Sequence, residues 1–445
     1  MTVDEIFKVQ NMVCFLENQR LVQKKREFSQ IFVPVLSVLC DRYIPEYRQF
    51  VPQDWVEQQK QIISSQYGTV AKAIRKLHRK LFGSRIDYRP LLMEELFVMS
   101  ILCRPKGSVM DCHGPDLLTD LGWKEKDVQN YGNKLAKIPE YILFSQFTQQ
   151  EKYYFSLPKF NIAVCANMSA GKSTFINALL GHDYLPSRNE ATTATITTVQ
   201  DKDDFADVLG CVQVAGKIVP CREQVTLKLI DRWNDSQEVK RIYLQGDLDN
   251  IGNNHAVVCV HDTPGTNNSG DISHNVITMD FLQKNPLDAL VFVANGEHLC
   301  TTDERRLLEE VKKISTEKNI PVIFAMNKMD SHDSEKEELA TTVGRYRDFV
   351  KEIGFDDSMV YPVSAKAARL FKMALKGCGK EFTAKERADF NFCLKLMVED
   401  TSSSGVGEIV EIGKHGYSAA IIRQGLEQSG IVAIEQAIEN LVNHR

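Results

Sequence analysis

Four short clusters of residues have the types and spacing to hold a nucleotide. The first is Ala166-Asn167-Met168-Ser169-Ala170-Gly171-Lys172-Ser173-Thr174, which follows an apolar run and opens a helical pattern. A loop in that position points successive backbone N–H groups at a phosphate, and the helix amino terminus adds a favourable dipole. Lys172 would reach the β- and γ-phosphates, and the Ser173 hydroxyl would ligate magnesium. Ala166 stands where such loops usually carry their first glycine, so the match is imperfect.

The second cluster is Asp262-Thr263-Pro264-Gly265, directly after the apolar run Ala256 to Val260. A carboxylate at a strand end can hold magnesium through a water, and a glycine N–H can approach a γ-phosphate with no side chain in the way. An ordinary turn would also suit this tetrapeptide. The third is Asn327-Lys328-Met329-Asp330, again closing an apolar run. Asp330 could accept two hydrogen bonds from the N1–H and 2-amino group of guanine, a donor pair adenine lacks. Asn327 would brace the loop, and the Lys328 stem would cover one face of the base. Ser364-Ala365-Lys366 completes the base pocket. Each of the last three is a weak signal alone, and a surface loop is its bland reading. Their order on successive strand ends is what points to a guanine-nucleotide site, because doubly wound sheets bind ligands there.

The elements that must position these groups are legible as periodicity. Residues 1 to about 150 place apolar residues at helical spacing, as in Ile62, Val70, Ile74, Leu77 and Leu81, and predict a mainly helical region. From Phe160 the pattern changes to short β-branched runs alternating with helices, which predicts a P-loop α/β domain with a mostly parallel, doubly wound sheet. The expected strands are Phe160 to Ala166, Ala194 to Val199, Val208 to Val214, Ala256 to Asp262, Ala289 to Ala294, Val322 to Asn327 and Val360 to Val363. Thr301-x-x-Glu304 reads as a capping box opening a helix to about Ile314. The pattern after Ala365 reads as helical, interrupted by a loop at Thr401 to Gly407, with a last helix from Val432 to Val442. The expected division is a helical region over 1–157 and a nucleotide-binding domain over 158–445, whose final helix packs on the N-terminal helices through apolar stripes.

Bulk properties exclude some classes. The chain has 445 residues, longer than one core usually serves, with 43% hydrophobic and 25% charged residues, a globular balance. A net charge of −5 names no anionic partner, and no specific nucleic acid is expected. Eleven cysteines without a C-x-x-C pair fit a reduced compartment, and the start carries Asp4 and Glu5 in place of a signal peptide's basic residues. The apolar run Ile31 to Cys40 contains Pro34 and falls short of the roughly 20 residues a span needs. The reading is a soluble cytoplasmic protein.

With these motifs in place, the sequence resembles the dynamin superfamily, in particular the bacterial dynamin-like GTPases. The resemblance rests on Met168 to Gly181 (MSAGKSTFINALLG), Leu185-Pro186, Ala191 to Ile196 (ATTATI) and the ending Ser429 to Leu441 (SGIVAIEQAIENL). It covers about residues 158 to 445, the middle of that range loosely. Lys172 and Asp262 stand 90 positions apart, as in large rather than small GTPases. The resemblance implies GTP hydrolysis to GDP with magnesium, held by Ser173, Asp262 and Thr193, with Thr192 the alternative switch I threonine. It further implies that Ser169 helps hold the attacking water, and that the chain forms a homodimer through its G domains, with a membrane or another protein as a further partner and peripheral membrane attachment.

The chain departs from the family pattern at three points. Met168 replaces the glutamine of classical dynamins, residue 266 is threonine where Ras-like proteins have a water-orienting glutamine, and the sequence stops where a stalk would begin. Slow intrinsic turnover is expected, and the chain is either cut before the stalk or a natural short form. The alternatives to a self-associating enzyme are a monomeric regulatory GTPase binding a protein or ribonucleoprotein, and a nucleotide-gated structural protein. The basic stretch Lys72, Arg75, Lys76, Arg79, Lys80, Arg85 and Arg89 reads as a solvated helix face in preference to a phosphate-binding patch. His113 beside Cys112 lacks a second ligand pair and is assigned no metal.

Overall fold

A computed structural model describes residues 2–18, 26–49, 51, 54–78, 87–103, 116–124, 139–167, 169–186, 195–203, 208–221, 225–252, 255–265, 272–332, 338–356, 359–398 and 408–444. The chain divides into two compact units. The first comprises residues 1–156 with 209–211 and 217–224, and the second the remainder.

Helices α1 (Val3–Asn18), α2 (Arg26–Tyr43), α3 (Trp55–Tyr67), α4 (Val70–His78), α5 (Arg89–Cys103) and α6 (Pro139–Tyr154) make up most of the first unit. Their apolar stripes are its core: Ile6 and Val9, Val35 and Leu39, Ile74 and Leu77, Leu92 and Leu96 are all buried. On α4, Lys72, Arg75 and Lys76 are exposed while Ala73, Ile74 and Leu77 point inward, so this part of the basic stretch is a solvated face. Arg89 instead forks onto Asp87 at 2.9 Å. Arg79, Lys80, Arg85, Cys112 and His113 lie outside the described residues. No described helix is long and apolar enough to cross a membrane.

The second unit is built on a sheet whose strands are β1 (Lys159–Ala166), β2 (Ile196–Asp201), the strand pair β3 (Leu209–Val214) and β4 (Lys217–Pro220) divided between the units, β5 (Val239–Gly246), β6 (Val257–Asp262), β7 (Ala289–Asn295), β8 (Val322–Asn327) and β9 (Val360–Pro362). Within the unit their order is β5-β2-β6-β1-β7-β8-β9. β1 runs parallel to β6 and β7, β7 to β8, and β8 to β9, so the carboxyl ends of these five strands share one edge. β2 is reversed against β6, with Thr197 opposite Asp262, and β5, which pairs with β2 in parallel, shares that reversed direction. The central strands are near-continuous apolar runs because helices cover both faces. Phe292, Phe324 and Tyr346 are fully buried on one such face.

All seven expected strands lie within two residues of their expected bounds. β5 was not expected, because Lys240 and Arg241 interrupt its apolar alternation. The helical reading beyond Ala365 also misses the hairpin β10 (Ile409–Ile412) and β11 (His415–Ser418). Its turn holds Gly413 at φ 61°, a conformation that suits glycine. The loop read at 401–407 lies outside the described residues.

Candidate functional site

The phosphate loop connects β1 to α7 (Lys172–Leu180). Ala166 is the last, fully buried residue of β1, paired in register with Val293, so no left-handed backbone is asked of it and alanine is accommodated. The left-handed positions fall later, at Ser169 (φ 62°) and Gly171 (φ 85°). At Gly171 a Cβ would also come within 2.5 Å of the Asn327 amide nitrogen. The helix begins at Lys172, so Lys172, Ser173 and Thr174 form its first turn. A helix amino terminus in that position directs its first-turn N–H groups and the positive end of its dipole towards an anion.

Lys172 reaches across to Asp262, whose carboxylate forms an ion pair with its ammonium group; both side chains are largely buried. Asp262 is there because β6 ends at it, opposite Val164 of β1. The next two residues are pinned as well: the Thr263 hydroxyl donates to the Val164 carbonyl at 2.8 Å, and the Thr278 hydroxyl donates to the Pro264 carbonyl at 2.9 Å. The Ser173 hydroxyl, in the first turn of α7, and the Asp262 carboxylate, at the end of β6, are hard oxygen donors, the chemistry that suits magnesium. Gly265 follows Pro264, while Met168, Thr192, Thr193 and Thr266 lie outside the described residues.

One side chain links the phosphate loop to the base loops. Asn327, 3% exposed at the end of β8, donates to the Ala170 carbonyl at 2.8 Å and accepts from the Ala365 N–H at 3.0 Å. Asp330 is 6% exposed and receives the Ser364 hydroxyl at 2.6 Å and the Lys366 ammonium at 2.6 Å. Burial opposes the Lys366 charge, but the hydrogen bond and attraction of Asp330 prevail and raise its titration above the ordinary lysine value. Ser364 caps α12 (Ala365–Leu375) by accepting from the Ala367 N–H at 3.2 Å. Lys328 takes a left-handed φ of 67° and directs its ammonium to Glu297 at 2.7 Å.

The described members of the four clusters therefore meet at the carboxyl edge of β1, β6, β8 and β9. Sequence reasoning missed Glu297, whose only signal is its place in the loop after β7. It also missed His261, which joins three strands beside Asp262. Its imidazole lies 2.9 Å from the Thr198 hydroxyl of β2 and 3.2 Å from the Asn161 amide oxygen of β1. Burial, with some help from Arg241 and Lys159, pushes its pKa down to about 3, so the ring is neutral.

Residues 162–329 match the family model described as the Dynamin family. Dynamin-like protein A of Bacillus subtilis (strain 168) is 25% identical over 197 residues, which are 43% of this chain and 15% of that protein. An uncharacterised protein from the xynA 3′ region of Caldicellulosiruptor sp. (strain Rt8B.4) is 27% identical over 214 residues, 47% of this chain and 50% of the other. The chain thus spans half or less of the length of these curated relatives. Among solved structures, a chain of an oligomerised bacterial dynamin pair, titled as a mechanism for long-range sensing and tethering of membranes, aligns over 95% of this chain and 73% of its own at 18% identity and a TM-score of 0.37. Residues 162–329 are thus similar to the dynamin family, and the second unit has the α/β fold of a P-loop GTPase domain.

Proposed function

We propose that the chain binds GTP with magnesium, hydrolyses it to GDP and phosphate, and couples that cycle to dimerisation through its G domain, residues 158–445. The observation that carries this reading is the bridge made by Asn327 between Ala170 of the phosphate loop and Ala365 of the base loop. It fixes the two halves of a nucleotide site to one amide group. Lys172 would neutralise charge on the β- and γ-phosphates, and the α7 amino terminus would hold the phosphate oxygens. Asp330, oriented by Ser364, would read the guanine edge. Ser169 and Thr193 would position the attacking water.

Ser173, Asp262 and Thr193 would hold magnesium, which when bound neutralises phosphate charge that develops during transfer. Residue 266 is threonine and offers no side-chain amide to orient water. Low turnover by the isolated domain follows, and a second G domain across the nucleotide would complete the site. Peripheral attachment to a membrane would be compatible with this cycle.

The test is specific GTPase activity measured against protein concentration. Activity per molecule that rises with concentration and then saturates supports coupled dimerisation. A flat, measurable rate would leave a monomeric switch, and no turnover with tight GTP binding would leave a nucleotide-gated structural protein.

A further inference from the structure

Three cations are spaced at i, i+3 and i+7: Arg369 and Lys372 on α12, and Lys376, the residue that caps its carboxyl end. All three reach the carboxyl end of α7 or the turn just after it. The Lys372 ammonium donates to the Leu179 carbonyl at 3.2 Å, and that of Lys376 to the Leu180 carbonyl at 3.0 Å. The Arg369 guanidinium forks onto Asp183 at 2.5 and 2.7 Å and also reaches Glu386 at 2.6 Å. Asp249 completes the joint, pairing with Lys376 at 2.7 Å while its own N–H donates to Leu179 at 3.2 Å.

The last carbonyls of a helix lack intrahelical donors, and its carboxyl end carries partial negative charge, so cations are favoured there. Gly181 shows how tightly the joint is closed. It terminates α7 at φ 61°, and a Cβ there would run into the Asp249 carboxylate and come within 2.9 Å of the Lys376 ammonium.

α7 begins at Lys172 and α12 at Ala365, the phosphate and base ends of the site. We propose that Arg369, Lys372 and Lys376 are positioning residues that strap these two helices together at their far ends and thereby set how long a guanine nucleotide stays bound. The inference rests on the functional reading above. A ligand that spans both helices is held by the sum of its two sets of contacts only while their separation is fixed. Loosening the strap lets one end release before the other, which speeds dissociation of the whole nucleotide. The groups around the phosphates are not moved, so the chemical step at saturation is preserved.

The experiment uses the full chain carrying Arg369→Gln or Lys376→Gln, with a fluorescent GDP analogue chased by excess GDP in stopped flow. Each variant is expected to release the analogue faster by about tenfold, the scale that displaced positioning contacts reach or exceed. GTP turnover at saturation should stay near the wild-type value while KM rises. The charge-reversed pair Asp183→Arg with Arg369→Asp should slow release again relative to Arg369→Asp alone.

Release within twofold of wild type in both variants overturns the strap. So does a parallel fall in saturated turnover, which would mean general loosening of the domain. If Arg369→Gln does not fold, Lys376→Gln decides alone, since Lys376 sits at the half-exposed end of the joint. A wild-type chain that fails to bind the analogue rejects the functional reading itself, whereas a binding wild type with unchanged variants rejects the strap alone.

Discussion

Replacing Lys372 with methionine isolates the energetics of the most deeply buried ion pair among the described residues. Lys372 and Glu435 are 2% and 1% exposed, and the second Glu435 oxygen accepts from the Asn250 amide at 2.9 Å. Lys372→Met keeps an unbranched stem of similar length but leaves a carboxylate buried without its cation. Removing one partner of such a pair costs about 3 to 5 kcal/mol. The Leu179 carbonyl is not orphaned, because the Asp249 N–H still reaches it at 3.2 Å, so the loss belongs to Glu435. The double variant Lys372→Met, Glu435→Leu removes both charges and should recover most of the deficit, to within about 1 kcal/mol of wild type.

Acidity supplies an independent check. Burial raises the Glu435 carboxyl above its ordinary value, with Lys372 and its hydrogen bonds pulling it down. Without Lys372 that downward pull disappears and the carboxyl rises further. A group raised in the folded state binds a proton more readily there than in the unfolded chain. Its penalty is therefore full above the folded pKa and relieved as pH falls through it. Urea denaturation of the three proteins from pH 5 to pH 8 should show a Lys372→Met deficit that grows with pH and a double variant that is nearly flat relative to wild type. A single variant within 1 kcal/mol of wild type at pH 8, or a double variant no more stable than the single, would refute the argument.

Other expected outcomes concern the nucleotide. Lys172→Ala should abolish tight GTP binding, because the charge directed at the β- and γ-phosphates is lost; wild-type affinity by calorimetry would reject the phosphate-loop assignment. Asp330→Asn should move preference from GTP towards XTP, with GTP affinity falling by roughly one to two orders of magnitude for the loss of one charged hydrogen bond. Unchanged preference, or equal binding of ATP and GTP by the wild type, would remove the guanine assignment. Gly171→Ala should weaken nucleotide binding and lower stability by more than 1 kcal/mol, since it combines a left-handed φ of 85° with a collision against Asn327. A thermally unshifted, fully binding Gly171→Ala protein would show that the loop relaxes freely.

The parts of this molecule that were legible in the sequence are those written in local pattern. β6, β7 and β8 are apolar runs ending in Asp262, Asn295 and Asn327, β1 is an apolar run that stops just before Asn167, and each lies where periodicity puts it. The Thr301 cap was readable too, since its hydroxyl accepts from the Glu304 N–H at 3.2 Å. What escaped depends on partners distant in the chain. β5 is a strand because β2 pairs with it, despite Lys240 and Arg241. His261 looks like an ordinary strand residue until the sheet brings it beside Asn161 and Thr198. Arg369, Lys372 and Lys376 read as a helix surface, and only the placement of the α7 carboxyl end gives them a task. Asn327 was assigned its bracing role from the motif, but that it grips Ala170 and Ala365 at once is a fact of three-dimensional closure.

The reversal of β2 has a consequence for how such a domain can grow. The long stretch separating Lys172 from Asp262 is accommodated by adding β5 outside β2, on the side of the sheet away from β1. The neighbours β6-β1-β7-β8-β9, whose ends carry Asp262, the phosphate loop, Asn327 and the base loop, stay an unbroken series. Extra length is thus laid down at the margin, as new courses are added to the end of a wall whose doorway is already framed. Length added at that margin would change the outline of the sheet without altering the distances between the phosphate loop and the base loop.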